Sequence, residues 1–375
     1  MKNNENKKIM VIIGTRPEAI KLAPVIKEIK KNPNYTVIVC ATAQHRELLD
    51  QMIETLKIKV HFDLNLMSKN QSVTGFFQKA LKEINKLMVK TKPDMTIVQG
   101  DTSTAAAGAL ASFYNKIPVA HVEAGLRSND MKNPFPEEIN RILADNLSDL
   151  LFVPTEQSKK NLIKEGFGKS KIHVTGNTVI DSLKSNVKAL GSNKNLSCCN
   201  LGKGNKIILV TFHRRESFGK DMLNIFAALK DLVEQNKNVL IIYPVHPNPN
   251  IQKMAKEILT HGQIILIEPL PYLEFLSLMM QSDLIITDSG GVQEEAPALK
   301  KNVILARKKT ERTEGINKGC VFLSGPSRAK IVKSANDIIR NPKNFPKSCE
   351  NIYGDGNASK KTADHIASFF KKNSK

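Results

Sequence analysis

At 375 residues, 41% of them apolar and none of them tryptophan, the chain suits two domains of ordinary size and is excluded from the disordered and fibrous classes. Lysine and arginine exceed the acids by 56 to 36, a formal charge of +20, which admits nucleic acid, anionic membrane or phosphorylated small molecules as partners. The five cysteines, Cys40, Cys198, Cys199, Cys320 and Cys349, form no C-x-x-C pair, so neither a disulfide framework nor a zinc site is expected, and a reducing cytoplasm fits.

The opening "MKNNENKK" reads as a frayed tip that leads into five apolar residues before "GTRPE", too few for a signal-peptide core. No later run approaches the roughly 18 apolar residues of a membrane span. "IMVIIG" is then a predicted strand and "AIKLAPVIKEIKK" a helix; "TVIVCAT" with "HRELLDQMIETL" and "MTIVQG" with "TSTAAAGALASFYN" repeat the pair. The pattern runs on through "PVAHVEA", "LLFVPT" and "KIHVTG". Continuous apolar strands separated by helices predict a parallel sheet covered on both faces. A polar, glycine-bearing stretch with no period, residues 191–205, is the predicted linker. The alternation resumes in "KIILVTFH", "NVLIIYPVH", "IILIEPL", "LIITDSG" and "NVILARK". The fold class is therefore α/β, with two Rossmann-like doubly wound domains, 1–190 and 206–358, facing a cleft. A helix at about 359–375 is placed back on the first domain. The lysines are scattered over helix-like faces such as "VIKEIKKN" without interleaved aromatics, so nucleic-acid binding is the weaker alternative.

Sheets of this kind bind ligands at the carboxyl ends of their strands, and polar groups gather there. Arg16 and Lys21 follow the first strand in "GTRPEAIKLAP". A guanidinium at that turn offers fixed geometry to phosphate or sugar oxygens, whereas Lys21 is either a mobile charge or a solvated surface residue. Asp101 in "QGDTST", Glu123 in "AHVEAGLRS", Glu137 beside Glu138 in "NPFPEEINR", His213 in "TFHRRES" and His246 in "YPVHPNP" are of catalytic type. Each also has a plainer reading, Asp101 as the cap of a helix beginning at Thr102. In "TDSGGVQEEAPAL", Ser289, Gly290 and Gly291 leave backbone N–H groups at a helix start open to a phosphate, and Glu295, one turn in, suits vicinal hydroxyls. A glycine turn with acidic capping is the competing reading. Neither G-x-G-x-x-G nor a P-loop motif occurs, which argues against NAD and against ATP hydrolysis.

Taken in order, "GTRPEAIKLAP", "TAQHRELLDQ", "GDTST", "HVEAGLRS", "PEEINR", "TGNTVIDSL", "HRRESFG", "YPVHPNP" and "TDSGGVQEEAPAL" resemble the non-hydrolysing UDP-N-acetylglucosamine 2-epimerases of bacteria and archaea over nearly the whole chain. The resemblance implies a GT-B type fold, a homodimer, and interconversion of UDP-GlcNAc and UDP-ManNAc for cell-surface polysaccharide. It implies elimination of UDP to 2-acetamidoglucal and re-addition, with no redox cofactor and no metal. It makes Asp101, Glu123 and Glu137 the acid/base candidates and seats His213 by the diphosphate. Ser289, Gly290, Gly291 and Glu295 would hold UDP, with Arg16, Lys21, His246 and Arg312 completing the substrate site. Gln44 and His45 match an effector site in many bacterial members, but its further glutamine and arginine correspond here to Glu47 and Asn70, which weakens the expectation of effector control. The family's R-D-T-T-E-R-P-E appears as "RKKTERTE", and Phe212 stands before His213 where a small residue is common, which is expected to narrow the site. Epimerases of UDP-2,3-diacetamido-2,3-dideoxyglucuronate share "EAGLRS" and "DSGG" and remain the alternative. The R-Q-x-G-R run of hydrolysing relatives is absent.

Overall fold

The alternation of apolar runs and helices is realised as two parallel sheets in the computed structural model, which describes residues 6–43, 46–68, 71–191, 204–212, 219–341 and 349–373. By contacts the chain divides into one unit of Met1–Ser182 with Tyr353–Lys375 and a second of Leu183–Ile352. The linker placed at 191–205 lies, apart from residues 191, 204 and 205, outside the described residues.

The first unit runs β1 (Lys7–Ile13), α1 (Arg16–Ile29), β2 (Tyr35–Ala41), α2 (Arg46–Thr55), β3 (Phe62–Asp63), α3 (Val73–Thr91), β4 (Met95–Gln99), α4 (Ser103–Tyr114), β5 (Val119–Val122), α5 (Glu137–Asn146), β6 (Leu150–Val153), α6 (Glu156–Lys164), β7 (Ile172–Val174) and the start of α7 (Thr178–Gly191). Its sheet has the order β3-β2-β1-β4-β5-β6-β7. The winding reverses between β1 and β4, the position at which such sheets open a crevice for ligands. Helix α4, "STAAAGALASFY", is buried along nearly its whole length. Its small residues let it lie flush on the sheet, and a Cβ at Gly108 would come within 2.8 Å of Ile12 Cδ1 and 3.1 Å of Val98 Cγ1. Helix α4 packs on both β4 and β1, and its Thr104 meets the turn at Gly14 that follows β1.

The second unit runs β8 (Lys206–Thr211), α8 (Lys220–Gln235), β9 (Val239–Pro244), α9 (Pro249–Ile258), β10 (Ile264–Ile267), α10 (Tyr272–Gln281), β11 (Leu284–Thr287), α11 (Gly290–Ala298), β12 (Asn302–Leu305), α12 (Glu314–Asn317), β13 (Val321–Leu323) and α13 (Arg328–Arg340). Its order, β10-β9-β8-β11-β12-β13, reverses between β8 and β11. Ile208 and Val210 enter one apolar cluster with Phe226 and Tyr243, while Ile207 and Leu209 enter another with Leu276 and Val292. This is the alternation of a strand covered on both faces.

The final helix, α14 (Ala358–Asn373), belongs to the first unit. Asp181 of α7 caps it, accepting from Ser359 N at 2.8 Å and Ala358 N at 3.2 Å. His365 stacks on His173 of β7 with ring centroids 3.9 Å apart, and Phe370 packs on Tyr35. Burial, then the neighbouring His365 and Lys372, pushes His173 down to about 4 from its usual 6.5. The unfolded chain therefore takes up a proton at this site below about pH 6.5 that the folded chain refuses until about pH 4. Stability is lost as the pH falls through that window. His173→Phe, which keeps a ring on His365, is expected to flatten the melting temperature between pH 6.5 and 4.5, measured by circular dichroism; an unchanged slope would remove His173 as its source.

One expectation is overturned. Cys320 and Cys349, 29 positions apart, are joined in a disulfide with Cα atoms 6.3 Å apart. Both are buried, and no C-x-x-C spacing announces a pair that only the fold brings together. The cysteine pattern thus gives no support to a reducing compartment. The bridge closes a loop of about 30 residues, worth about 3.6 kcal/mol on the chain-entropy account. Cys349→Ser is expected to lower the urea midpoint of unfolding, and dithiothreitol is expected to do the same to the native chain. Equal midpoints with and without reductant would deny the bridge a stabilising role.

Candidate active site

At the end of β1 the chain turns through Gly14, where a Cβ would overlap the hydroxyls of Thr42 and Thr104, themselves hydrogen-bonded at 2.8 Å. Arg16 opens α1 and is exposed. Lys21, one turn further, is buried, so the solvated-surface reading does not hold. Its ammonium pairs with Glu123 Oε2, which also accepts from Asn177 Nδ2 at 2.7 Å. Glu123 itself sits at φ +67°, a left-handed conformation that turns the chain sharply at the end of β5. Its carboxylate lies against Gly100, where an added Cβ would meet Glu123 Oε1 at 4.0 Å.

Asp101, the neighbour of Gly100, does not cap α4. Thr102 does, accepting from Ala105 N at 3.0 Å. The half-buried Asp101 carboxylate instead pairs with Arg141 Nη2, and its carbonyl accepts from Asn140 Nδ2 at 3.0 Å. Arg141 is buried and also donates to Glu138 Oε2 at 2.9 Å. Glu138 in turn accepts from the backbones of Ser128 and Asn129. Of the two adjacent acids that open α5, then, Glu138 is a clasp within the unit, while Glu137 is half-buried.

Sequence reading missed the support beneath these groups. His121 of β5 is fully buried, with Nδ1 2.7 Å from Asp145 Oδ1 and Nε2 2.8 Å from the Gly100 carbonyl. Asp145 Oδ2 meets Arg127 Nη1 at 2.7 Å and the Gly125 N–H at 3.2 Å. Burial alone would raise the Asp145 carboxyl, but His121 and Arg127 outweigh it and hold the carboxyl below its usual value. This network fixes Gly100 and Gly125, and with them the turns that carry Asp101 and Glu123. Its signal in the sequence was a histidine inside an apolar strand, "VAHV", whose partner stands 24 positions away.

In the second unit Ser289 caps α11, accepting from Val292 N at 3.5 Å. Arg312 lies over the start of this helix: a Cβ at Gly290 would meet its Nη1 at 3.1 Å. The guanidinium is held by Glu294 Oε1 at 2.6 Å and by Glu311, and the Arg312 N–H by Thr310 Oγ1 at 3.1 Å. The paired carboxylates at 294 and 295 therefore divide their work. Glu294 seats the arginine, while Glu295, buried on the same helix, accepts from the Tyr272 hydroxyl at 3.3 Å. Ser289, Gly290, Gly291 and Arg312 thus gather at the amino end of one helix, whose partial positive charge favours an anion, with Glu295 a turn further along it. His246, past the end of β9, accepts the Asn248 N–H on Nδ1 at 3.2 Å.

The departures from the family pattern leave Arg312 in place. Thr310 bonds Gln293 Oε1 at 2.8 Å and Lys308 pairs with Asp221 at 2.9 Å. Phe212, expected to narrow the site, is 1% exposed and packs edge-on against Tyr243 in the core. His213, Gln44, His45 and Asn70 lie outside the described residues, as does the side chain of Glu47.

Residues 27–367 match the family model described as UDP-N-acetylglucosamine 2-epimerase. The chain belongs to the UDP-N-acetylglucosamine 2-epimerase family. It is 43% identical over 362 residues to the UDP-N-acetylglucosamine 2-epimerase of Bacillus subtilis (strain 168), covering 96% of this chain and 94% of the relative. It is similar to the crystal structure of UDP-GlcNAc 2-epimerase from Neisseria meningitidis bound to UDP-GlcNAc, with a TM-score of 0.91, 41% identity and coverage of 96% and 100% of the two chains. The Methanocaldococcus jannaschii UDP-GlcNAc 2-epimerase in complex with UDP-GlcNAc and UDP gives a TM-score of 0.84 at 37% identity, over 97% of this chain and 99% of that one. The fold is that of the family: two Rossmann-like α/β units of GT-B type.

Proposed function

We propose that this chain interconverts UDP-GlcNAc and UDP-ManNAc by inverting the sugar at C2 through elimination and re-addition of UDP. The observation that carries the reading is the pair of carboxylates at neighbouring strand ends, Asp101 and Glu123, each held by a buried cation, Arg141 and Lys21. The membership of the family supports the substrate.

A C2 hydrogen is weakly acidic, so a base must be held within reach while the departing diphosphate is stabilised. In this reading a carboxylate of the first unit takes the C2 proton, the C1–O bond breaks and UDP leaves with the electron pair, giving 2-acetamidoglucal. A proton then returns to C2 on the opposite face, and a diphosphate oxygen adds again at C1. Asp101, Glu123 and Glu137 serve the proton transfers. The amino end of α11 with Arg312 holds the diphosphate, Glu295 the ribose hydroxyls, and Arg16, His213 and His246 complete the anion's surroundings. Every atom is conserved, so the scheme calls for no external redox partner.

Incubation with UDP-GlcNAc in deuterated water, followed by proton NMR, is expected to show UDP-ManNAc accumulating and deuterium entering at C2; substrate that stays unlabelled and unchanged refutes the reading, and stoichiometric free UDP would point to hydrolysis. Running UDP-2,3-diacetamido-2,3-dideoxyglucuronate alongside decides between the two sugars. Glu295→Ala removes charge-assisted hydrogen bonds worth about 1.5–3 kcal/mol each, so UDP affinity by calorimetry is expected to fall roughly 10- to 100-fold. Undiminished affinity would take the ribose away from Glu295.

The reading includes a cytoplasmic homodimer. No helix among the described residues is long and apolar enough to cross a membrane. Phe113 and Tyr114, exposed at the end of α4, form an aromatic surface of the kind a second subunit covers. Sedimentation equilibrium of the native chain tests this, a monomer at micromolar concentration being the contrary result.

A further inference from the structure

The mechanism leaves one buried acid of the first unit without a task. Glu18, the third residue of α1, is 1% exposed. It stands three residues after Thr15, the spacing of a capping box, but Thr15 makes no side-chain cap bond to the helix. Instead Glu18 Oε2 accepts the Gly14 N–H at 2.9 Å and the Thr15 hydroxyl at 2.8 Å. The other oxygen leaves the helix altogether. Glu18 Oε1 accepts the Thr102 hydroxyl at 2.7 Å, and that same hydroxyl oxygen takes the Ala105 N–H as the cap of α4. One carboxyl thus cross-links two strand-end turns that are 84 positions apart in sequence, one carrying Arg16 and the other Asp101.

We infer that Glu18 is a positioning residue for the proposed epimerisation, fixing the Asp101 turn against the Gly14 turn through the Thr102 hydroxyl. The inference rests on the reading of Asp101 as a proton-transfer group. A residue needed only to begin α1 would have no use for the second oxygen bond, and burying the group is costly. Desolvation pushes the Glu18 carboxyl up to about 7 despite its hydrogen bonds to Thr102, Thr15 and Gly14. What the contact secures is alignment. A displacement of about 1 Å at a reacting group can cost on the order of a hundredfold in rate. Asp101 is held from one side by Arg141 and, through its neighbour Thr102, from the other by Glu18.

The substitutions Glu18→Ala and Glu18→Gln separate alignment from simple stability. Glutamine keeps the cross-link with one bond reversed, its carbonyl taking the Gly14 and Thr15 donors and its amide donating to the second lone pair of the Thr102 oxygen, which still caps α4 through Ala105 N–H. Three readouts are needed: deuterium exchange at C2 by NMR, UDP affinity by calorimetry and the melting temperature. Glu18→Ala is expected to lower kcat roughly 10- to 100-fold while UDP affinity stays within about threefold, because all but one of the residues assigned to UDP, the exception being Arg16, lie in the second unit. Glu18→Gln is expected to recover kcat to within about threefold of the native chain. Full kcat in Glu18→Ala overturns the inference, as does a loss of kcat and UDP affinity in parallel with a lowered melting temperature. Should the alanine variant fail to fold, the glutamine variant still decides, since a large loss of kcat there also overturns it. Absence of C2 exchange in the native chain is a different result, and refutes the proposed reaction itself.

Discussion

Asp101→Asn is expected to bind UDP as tightly as the native chain and to lose C2 exchange by about a thousandfold, within the 10²–10⁴ range of general acid–base contributions. The carboxamide keeps the shape of the group and an oxygen for the Arg141 guanidinium, so Arg141 stays seated between positions 101 and 138. What it loses is the capacity to accept a proton. UDP is assigned to α11 and the loop before α12, which belong to the other unit, and nothing at those residues changes. Calorimetry with UDP is therefore expected to match the native chain while NMR in deuterated water shows almost no label entering. Equal loss in both would mean that Asp101 binds and does not react, and the division of labour between the units would have to be withdrawn.

Arg312→Ala is expected to produce the largest loss of stability of any single change in the second unit, about 3–5 kcal/mol, because it strands buried carboxylates that have lost their cation. Glu294 is 1% and Glu311 7% exposed, and both turn an oxygen to this guanidinium. Arg307 also lies 3.4 Å from Glu311. The variant is also expected to weaken UDP binding, since the guanidinium lies over Gly290 at the helix start. Arg312→Lys would retain a charge but not the fork that reaches Glu294 and Glu311 together, so it should recover part of the stability and little of the affinity. Chemical denaturation and UDP titration of the two variants check both halves. A native midpoint in Arg312→Ala would show that the carboxylates relax into solvent.

The fold was legible because each strand buried on both faces is a continuous apolar run bounded by glycine or polar turns. "IMVIIG" and "LIITDSG" announce β1 and β11 directly. β3, two residues long, carries no such signal, and β13, three residues long in "GCVFLSG", is missing from the sequence reading although the signal is present in short form. At the site, what could be read was the position of each group at a strand end. What could not be read was its partner. Lys21 looked like a solvated helix residue because nothing near it in sequence is acidic except Glu18, and its carboxylate stands 102 positions downstream. Asp101 admits the plainer reading of a cap because Thr102, the actual cap, reads in sequence as the first helical residue. His121 and Asp145, and likewise Cys320 and Cys349, are pairs that only strand order and helix packing bring within reach.

The return of α14 to the first unit makes the second a guest inserted in its host. During synthesis residues 183–352 emerge, and can collapse on their own two clusters, while the host still lacks its last helix. The Asp181 carboxylate, the His173 ring and Tyr35 wait for partners at 358–370 that the ribosome delivers only after the guest. A chain stopped just before Tyr353 would thus lose none of the guest's sheet and would spoil the host, the half that carries Asp101 and Glu123.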